Sequence, residues 1–100
     1  MARYYASWRV VRERMADDPA TIAGGWKMLI EAVKADLDTG RVKEWGAFPG
    51  SLGGYSVIEG TEMDVMKFTM QYAPYIAFEV YPLVSAAEVE EFLSAAAAGG

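Results

Sequence analysis

The chain has 100 residues, 9 Lys+Arg against 14 Asp+Glu and a formal charge of −5, so one domain fills it and neither nucleic acid nor an anionic membrane surface is favoured as its partner. It contains no Cys and no His, which excludes disulfides, thiol nucleophiles, zinc sites built on Cys or His, and Ser-His or Cys-His relays. Hydrophobic residues make up 53 %, but 16 of them are Ala, so the core must be assembled from the remaining larger side chains.

Arg3 to Val11 alternates, with Tyr4, Ala6, Trp8 and Val10 on one face and Arg3, Tyr5, Ser7 and Arg9 on the other. That is the period of a strand with one face buried. Asp18-Pro19 supplies a helix start, Asp as cap and Pro at the first helical position. Ile22, Trp26, Leu29, Ile30, Val33 and Leu37 then form an apolar stripe, and Gly40 stops the helix. Gly24-Gly25 inside it costs about 1 kcal/mol per Gly relative to Ala. The reading favoured for this pair is close packing of the helix on the sheet, with a ligand role as the alternative. Trp8 and Trp26 are expected to meet between the first strand and this helix.

Arg41 to Phe48 and Leu52 to Glu59 read as two strands joined through Pro49-Gly50-Ser51, a hairpin with room for a bulge. Its glycines lack the spacing of a dinucleotide or phosphate loop. Thr61 and Asp64 form a capping-box pattern that opens a helix to about Tyr72, on which Met63, Met66 and Met70 are expected to fill core. After Pro74, Tyr75 to Leu83 alternates again. Ser85 and Glu88 then cap a last helix with Val89, Phe92 and Leu93 as its narrow apolar stripe. No apolar stretch of the signal-peptide kind lies between Met1 and Met15, and Pro74, Glu79 and Pro82 break the run from Gln71 to Ala87. A cytoplasmic location is the expectation.

The order β-α-β-β-α-β-α describes a single α+β domain over residues 1–100, with a ferredoxin-like core at 3–83 and an extra C-terminal helix at 85–97. Its antiparallel sheet is expected in the order 4-1-3-2, with both core helices on one face. The helix-free face would carry Tyr5, Tyr55, Val57, Tyr75, Ala77 and Tyr81, too apolar to be left in water. Two such faces packed together make a homodimer, open to higher assembly.

Gly40-Arg41-Val42-Lys43-Glu44-Trp45-Gly46, Gly53-Gly54-Tyr55-Ser56-Val57 and Pro74-Tyr75-Ile76-Ala77-Phe78-Glu79-Val80 resemble segments of the muconolactone isomerase family. They resemble more closely still the small domains of unknown function grouped with it in the dimeric α+β barrel superfamily. The resemblance spans Arg3 to Leu83. It implies a dimeric scaffold with an aromatic-lined, small-molecule cleft and no cofactor. With no His present, the isomerase's histidine chemistry does not carry over, and haem degradation is not implied. The function implied is small-molecule binding. Its enzymatic form would be a cofactor-free isomerase or monooxygenase acting on a small enolisable or aromatic acid. The alternative is a non-catalytic homo-oligomeric binding or assembly module.

Strand alternation gathers candidates for such chemistry. Arg9 would anchor an anion, Glu59 or Glu79 would shuttle a proton with a pKa raised by an apolar wall, and Tyr55 or Tyr75 would stabilise an enolate. Tyr5 would line the same cavity, and Lys43 and Trp45 its mouth. The structural alternative pairs Arg9 with a carboxylate across the dimer interface, the tyrosines filling it. No carboxylate pair has spacing that specifies a metal.

Overall fold

A computed structural model describes residues 2–99; Met1 and Gly100 lie outside the described residues. In chain order the elements are β1 (Arg3–Val10), a 3-10 turn (Arg12–Arg14), α1 (Pro19–Thr39), β2 (Val42–Ala47), β3 (Gly53–Glu59), α2 (Glu62–Met70), β4 (Ile76–Leu83) and α3 (Ala86–Gly99). Each helix begins where a side chain can satisfy its orphan amides. The Asp18 carboxylate accepts from the Thr21 N–H at 2.9 Å. Thr61 and Asp64 exchange bonds of 2.9 and 3.1 Å, as do Ser85 and Glu88. Gly40 closes α1 at φ +81, a conformation that costs glycine no Cβ clash.

The four strands form one antiparallel sheet in the order β2-β3-β1-β4, which counted from the β4 edge is 4-1-3-2. Central β1 sets the register: Tyr5 stands between Val57 and Tyr81, Ser7 between Tyr55 and Glu79, and Arg9 between Gly53 and Ala77. The register of β2 shifts between Val42 and Glu44, the bulge that the hairpin allowed. One sheet face is covered. Ala6, Val42 and Ile58 from the strands meet Val65 and Phe68 from α2, with Tyr4, Trp45, Tyr72 and Phe78 packed around them. Trp8 meets Trp26 of α1 edge-on at 6.2 Å and stacks on Trp45 at 5.3 Å.

Three expectations are corrected here. The methionine stripe of α2 faces outward, with Met63, Met66 and Met70 all exposed, because Val65 and Phe68 occupy the inward positions. Gly24 and Gly25 are not pressed against the sheet: a Cβ added at either meets nothing within 4 Å. The inner stripe of α1 ends in Asp36, which is buried, whereas Leu37 is exposed. Asp36 is retained there by partners. It accepts from Gln71 Nε2 at 2.8 Å and the Tyr72 hydroxyl at 3.2 Å, tying the end of α1 to the chain just after α2.

α3 behaves differently from the rest: none of its residues is buried. The molecule measures 62 × 26 × 21 Å, with this helix standing off the sheet and its two covering helices.

Candidate functional site

The predicted site residues fall into two places on opposite sides of the sheet. On the helix-free face, the rings of Tyr5 and Tyr55 stack at 6.0 Å, and Phe48 stacks on Tyr55 at 6.3 Å. Glu59 is gripped by Arg3 at 2.9 Å and Lys43 at 3.6 Å. The Arg3 hydrogen bond, helped by the Lys43 charge, holds the Glu59 carboxyl below its ordinary range, opposite to the shift expected of a proton shuttle. Glu79 accepts from the Tyr81 hydroxyl at 3.0 Å, and Glu44 accepts from Tyr55. These bonds to carboxylates raise the pKa of both phenols, which stay protonated at neutral pH. Arg9 is exposed at the end of this face and, among the described residues, forms no ion pair.

Lys43 and Trp45 do not line one mouth. The bulge turns Lys43 toward Glu59 on the open face, while Trp45 stacks on Trp8 on the covered one. Tyr75 also leaves the group. It lies one residue before β4, where its carbonyl accepts from the Val11 N–H at 2.8 Å, and its side chain borders a cleft beside α1.

That cleft has a volume of about 700 Å³ and opens between the N-terminal half of α1 and the end of the sheet where β1 finishes and β4 begins. Ligand sites commonly have this size. Its walls are Met15, Ile22, Trp26 and Leu29 on one side and Tyr72, Tyr75 and Ile76 on the other, with Arg14 as the one charged lining residue among the described residues. Gly25 lines it too, and the missing side chain leaves it open there. A separate apolar gap of about 10 Å³, room for no more than one water, lies between Trp8, Leu29, Tyr72 and Phe78 and shares Leu29 and Tyr72 with the cleft. Tyr72 joins the cleft to Asp36. Burial and the Asp36 charge push its phenol up to about 12, so it remains a hydrogen-bond donor at neutral pH.

The sequence reading missed Arg14, Met15, Tyr72 and Asp36. Two signals pointed to them: a carboxylate one helical turn beyond Val33 on the apolar stripe, and a glycine pair at the start of that stripe with no turn to justify it. Among the described residues no group of three or more His, Cys, Asp or Glu is placed to hold a metal, and no helix is long and apolar enough to cross a membrane. No family model matches the chain, and a search of curated proteins finds no match.

Proposed function

We propose that this is a small-molecule-binding protein of the ferredoxin-like, dimeric α+β barrel kind, whose ligand is a flat, largely apolar acid seated in the α1 cleft. The observation that carries the reading is the cleft itself: about 700 Å³, walled by Trp26, Tyr72 and Tyr75, with a single guanidinium, Arg14, at its edge. Aromatic walls favour a planar hydrophobic body. One Arg offers a carboxylate or enolate two parallel hydrogen bonds. The Tyr72 ring is held in place by the bond its hydroxyl donates to Asp36, which fixes that wall of the cleft. This arrangement binds and orients an acid. If it also turns one over, the chemistry is a cofactor-free isomerisation or oxygenation of an enolisable or aromatic substrate.

A thermal-shift screen of small lactones, unsaturated and aromatic acids and quinones tests the proposal. A ligand at 100 times its Kd stabilises by about 2.7 kcal/mol, roughly 10 °C or more for a domain of this size. The shift should vanish in Arg14→Ala and persist in Arg9→Ala. The reverse pattern would move the ligand to the tyrosine face.

A second reading, a homo-oligomeric assembly module without a ligand, is favoured by the helix-free face. There Phe48 and Tyr81 are exposed and Tyr5, Tyr55 and Val57 half-buried, a surface suited to a two-fold partner. A flat screen together with a stable dimer would favour it.

A further inference from the structure

The α1 cleft and α3 are two unpartnered apolar surfaces on one molecule, and they match. On α3, Phe92 is 69 % and Leu93 58 % exposed, with Val89 one turn before them on the same stripe. A helix capped at Ser85 by its own box has no reason to remain free in water with such a stripe. Charge points the same way. From Phe68 onward the chain carries Glu79, Glu88, Glu90 and Glu91 and no Lys or Arg, whereas the stretch up to Met15 carries Arg3, Arg9, Arg12 and Arg14 against Glu13 alone. Arg14 lines the cleft and Arg12 is exposed on the same turn. Glu90 sits about 100° round α3 from Val89, beside the apolar stripe, so it would meet that basic rim as the stripe met the cleft.

The chain's own α3 does not make this contact: none of its residues is buried, and it stands off the sheet. The helix leaves the sheet after Leu83, paired with Arg3, while the cleft lies at the Ile76 end, about 23 Å away along β4. Val84-Ser85 and the first turns of α3 carry the Phe92 backbone back by at most about 19 Å. The route along the covered face is already taken by Phe68 and Tyr72, which pack on Phe78. A second copy has no such restriction.

We propose that α3 of a second copy lies across the α1 cleft, exchanged reciprocally, so that each binding site is closed by its partner's Phe92 and Leu93. Gly25, which lines the cleft and where an added Cβ meets nothing within 4 Å, marks where the incoming Ala-rich helix approaches. The proposal rests on the cleft reading for what the closed chamber holds, but needs no particular pairing of the tyrosine faces.

The absence of Cys makes a clean test possible. Gly25→Cys chains and Leu93→Cys chains, distinguished by a mass tag, are mixed and oxidised. Docking holds the two thiols at an effective concentration on the order of 1 mM, so at about 10 µM protein the mixed disulfide should form about a hundredfold faster than with Lys67→Cys as the partner of Leu93→Cys. The double variant Phe92→Glu/Leu93→Glu, altered only at exposed positions, should lower the mass seen in sedimentation equilibrium. A mixed disulfide no faster than the control overturns the proposal. So does a Gly25→Cys/Leu93→Cys chain that closes on itself at a rate independent of dilution. A fast mixed disulfide with a blank ligand screen would retain the exchange and remove the ligand; the converse pair of results would do the opposite.

Discussion

Gly24 and Gly25 give the sharpest stability prediction because the two are neighbours in one helix and differ in what lies near them. Both stand in the interior of α1, neither has a positive φ, and an added Cβ meets nothing within 4 Å at either. Helix propensity alone then makes Gly24→Ala stabilising by about 1 kcal/mol, partly through the lower entropy of the unfolded chain. With an unfolding entropy near 0.2 kcal/mol/K for 100 residues, this raises the Tm by about 5 °C. Gly25→Ala carries the same intrinsic benefit, but Gly25 lines the cleft. In dilute protein the two variants should melt together. As concentration rises and α3 of a second copy docks, the advantage of Gly25→Ala should shrink while that of Gly24→Ala holds. Circular dichroism melts across a concentration series, checked by calorimetry, read both effects. If Gly24→Ala instead lowered the Tm, the helix would be packed closely at that point, where an inserted methyl costs about 1–3 kcal/mol, and the reasoning would fail.

Gly54→Ala should do the opposite of Gly24→Ala: its Cβ would strike the Gly46 carbonyl and sit 2.5 Å from the Trp8 ring, so a loss of about 1–3 kcal/mol or failure to fold is expected in denaturant titrations. Asp36→Ala leaves Gln71 and the Tyr72 hydroxyl without their acceptor and should cost about 1–3 kcal/mol, with Asp36→Asn milder. Spectrophotometric titration of Asp36→Asn should show one tyrosine ionising below its wild-type value near 12, because the Asp36 charge contributes to that rise. The folded pKa of Glu59 lies below the model-compound value of 4.5. Its contribution to stability is therefore present above that value and lost as pH falls through the folded pKa. Glu59→Gln should flatten the acid limb of urea midpoints against pH and leave behaviour above the carboxylate range parallel to wild type. Tyr55→Glu puts a charge in the middle of the stacked face and should weaken self-association in sedimentation if that face pairs with a second copy.

Much of the architecture follows from patterns a few residues long. Alternation in Arg3 to Val11 puts Ala6 and Trp8 inside, and the three capping pairs set where the helices start. These are local effects, and local sequence records them. The cleft is not local. It is assembled from the turn after β1, the N-terminal half of α1 and the chain between α2 and β4, segments far apart in sequence, and no period in the sequence expresses that. Tyr75 shows the same limit: alternation alone groups it with Tyr5 and Tyr55, but it lies before the first paired residue of β4, where the strand's two-residue period does not apply. Likewise Lys43 and Trp45 part because of a bulge whose position only pairing with β3 decides. The methionines of α2 face outward because Val65 and Phe68 define an equally good stripe on another side of the helix, and the packing chose it.

The central place of β1 has a consequence for how the chain comes to be folded. β1 emerges from the ribosome ahead of both neighbours, yet its partners are β3, some fifty residues later, and β4, whose last paired residue is Leu83. Until Leu83 is available, one edge of β1 has nothing to bond, and the Trp8 side chain has no complete core to enter. Pairings of such long range are slow to close, since the loop entropy is lost before contacts compensate. An early strand with Tyr, Trp and Val exposed along an unpaired edge is the part of this molecule most open to wrong pairing during synthesis. The arginines at positions 3 and 9 put like charges on β1, and two such strands would repel when paired in register, antiparallel with Arg3 against Arg9 or parallel. They guard the nascent strand at the stage when nothing else covers it.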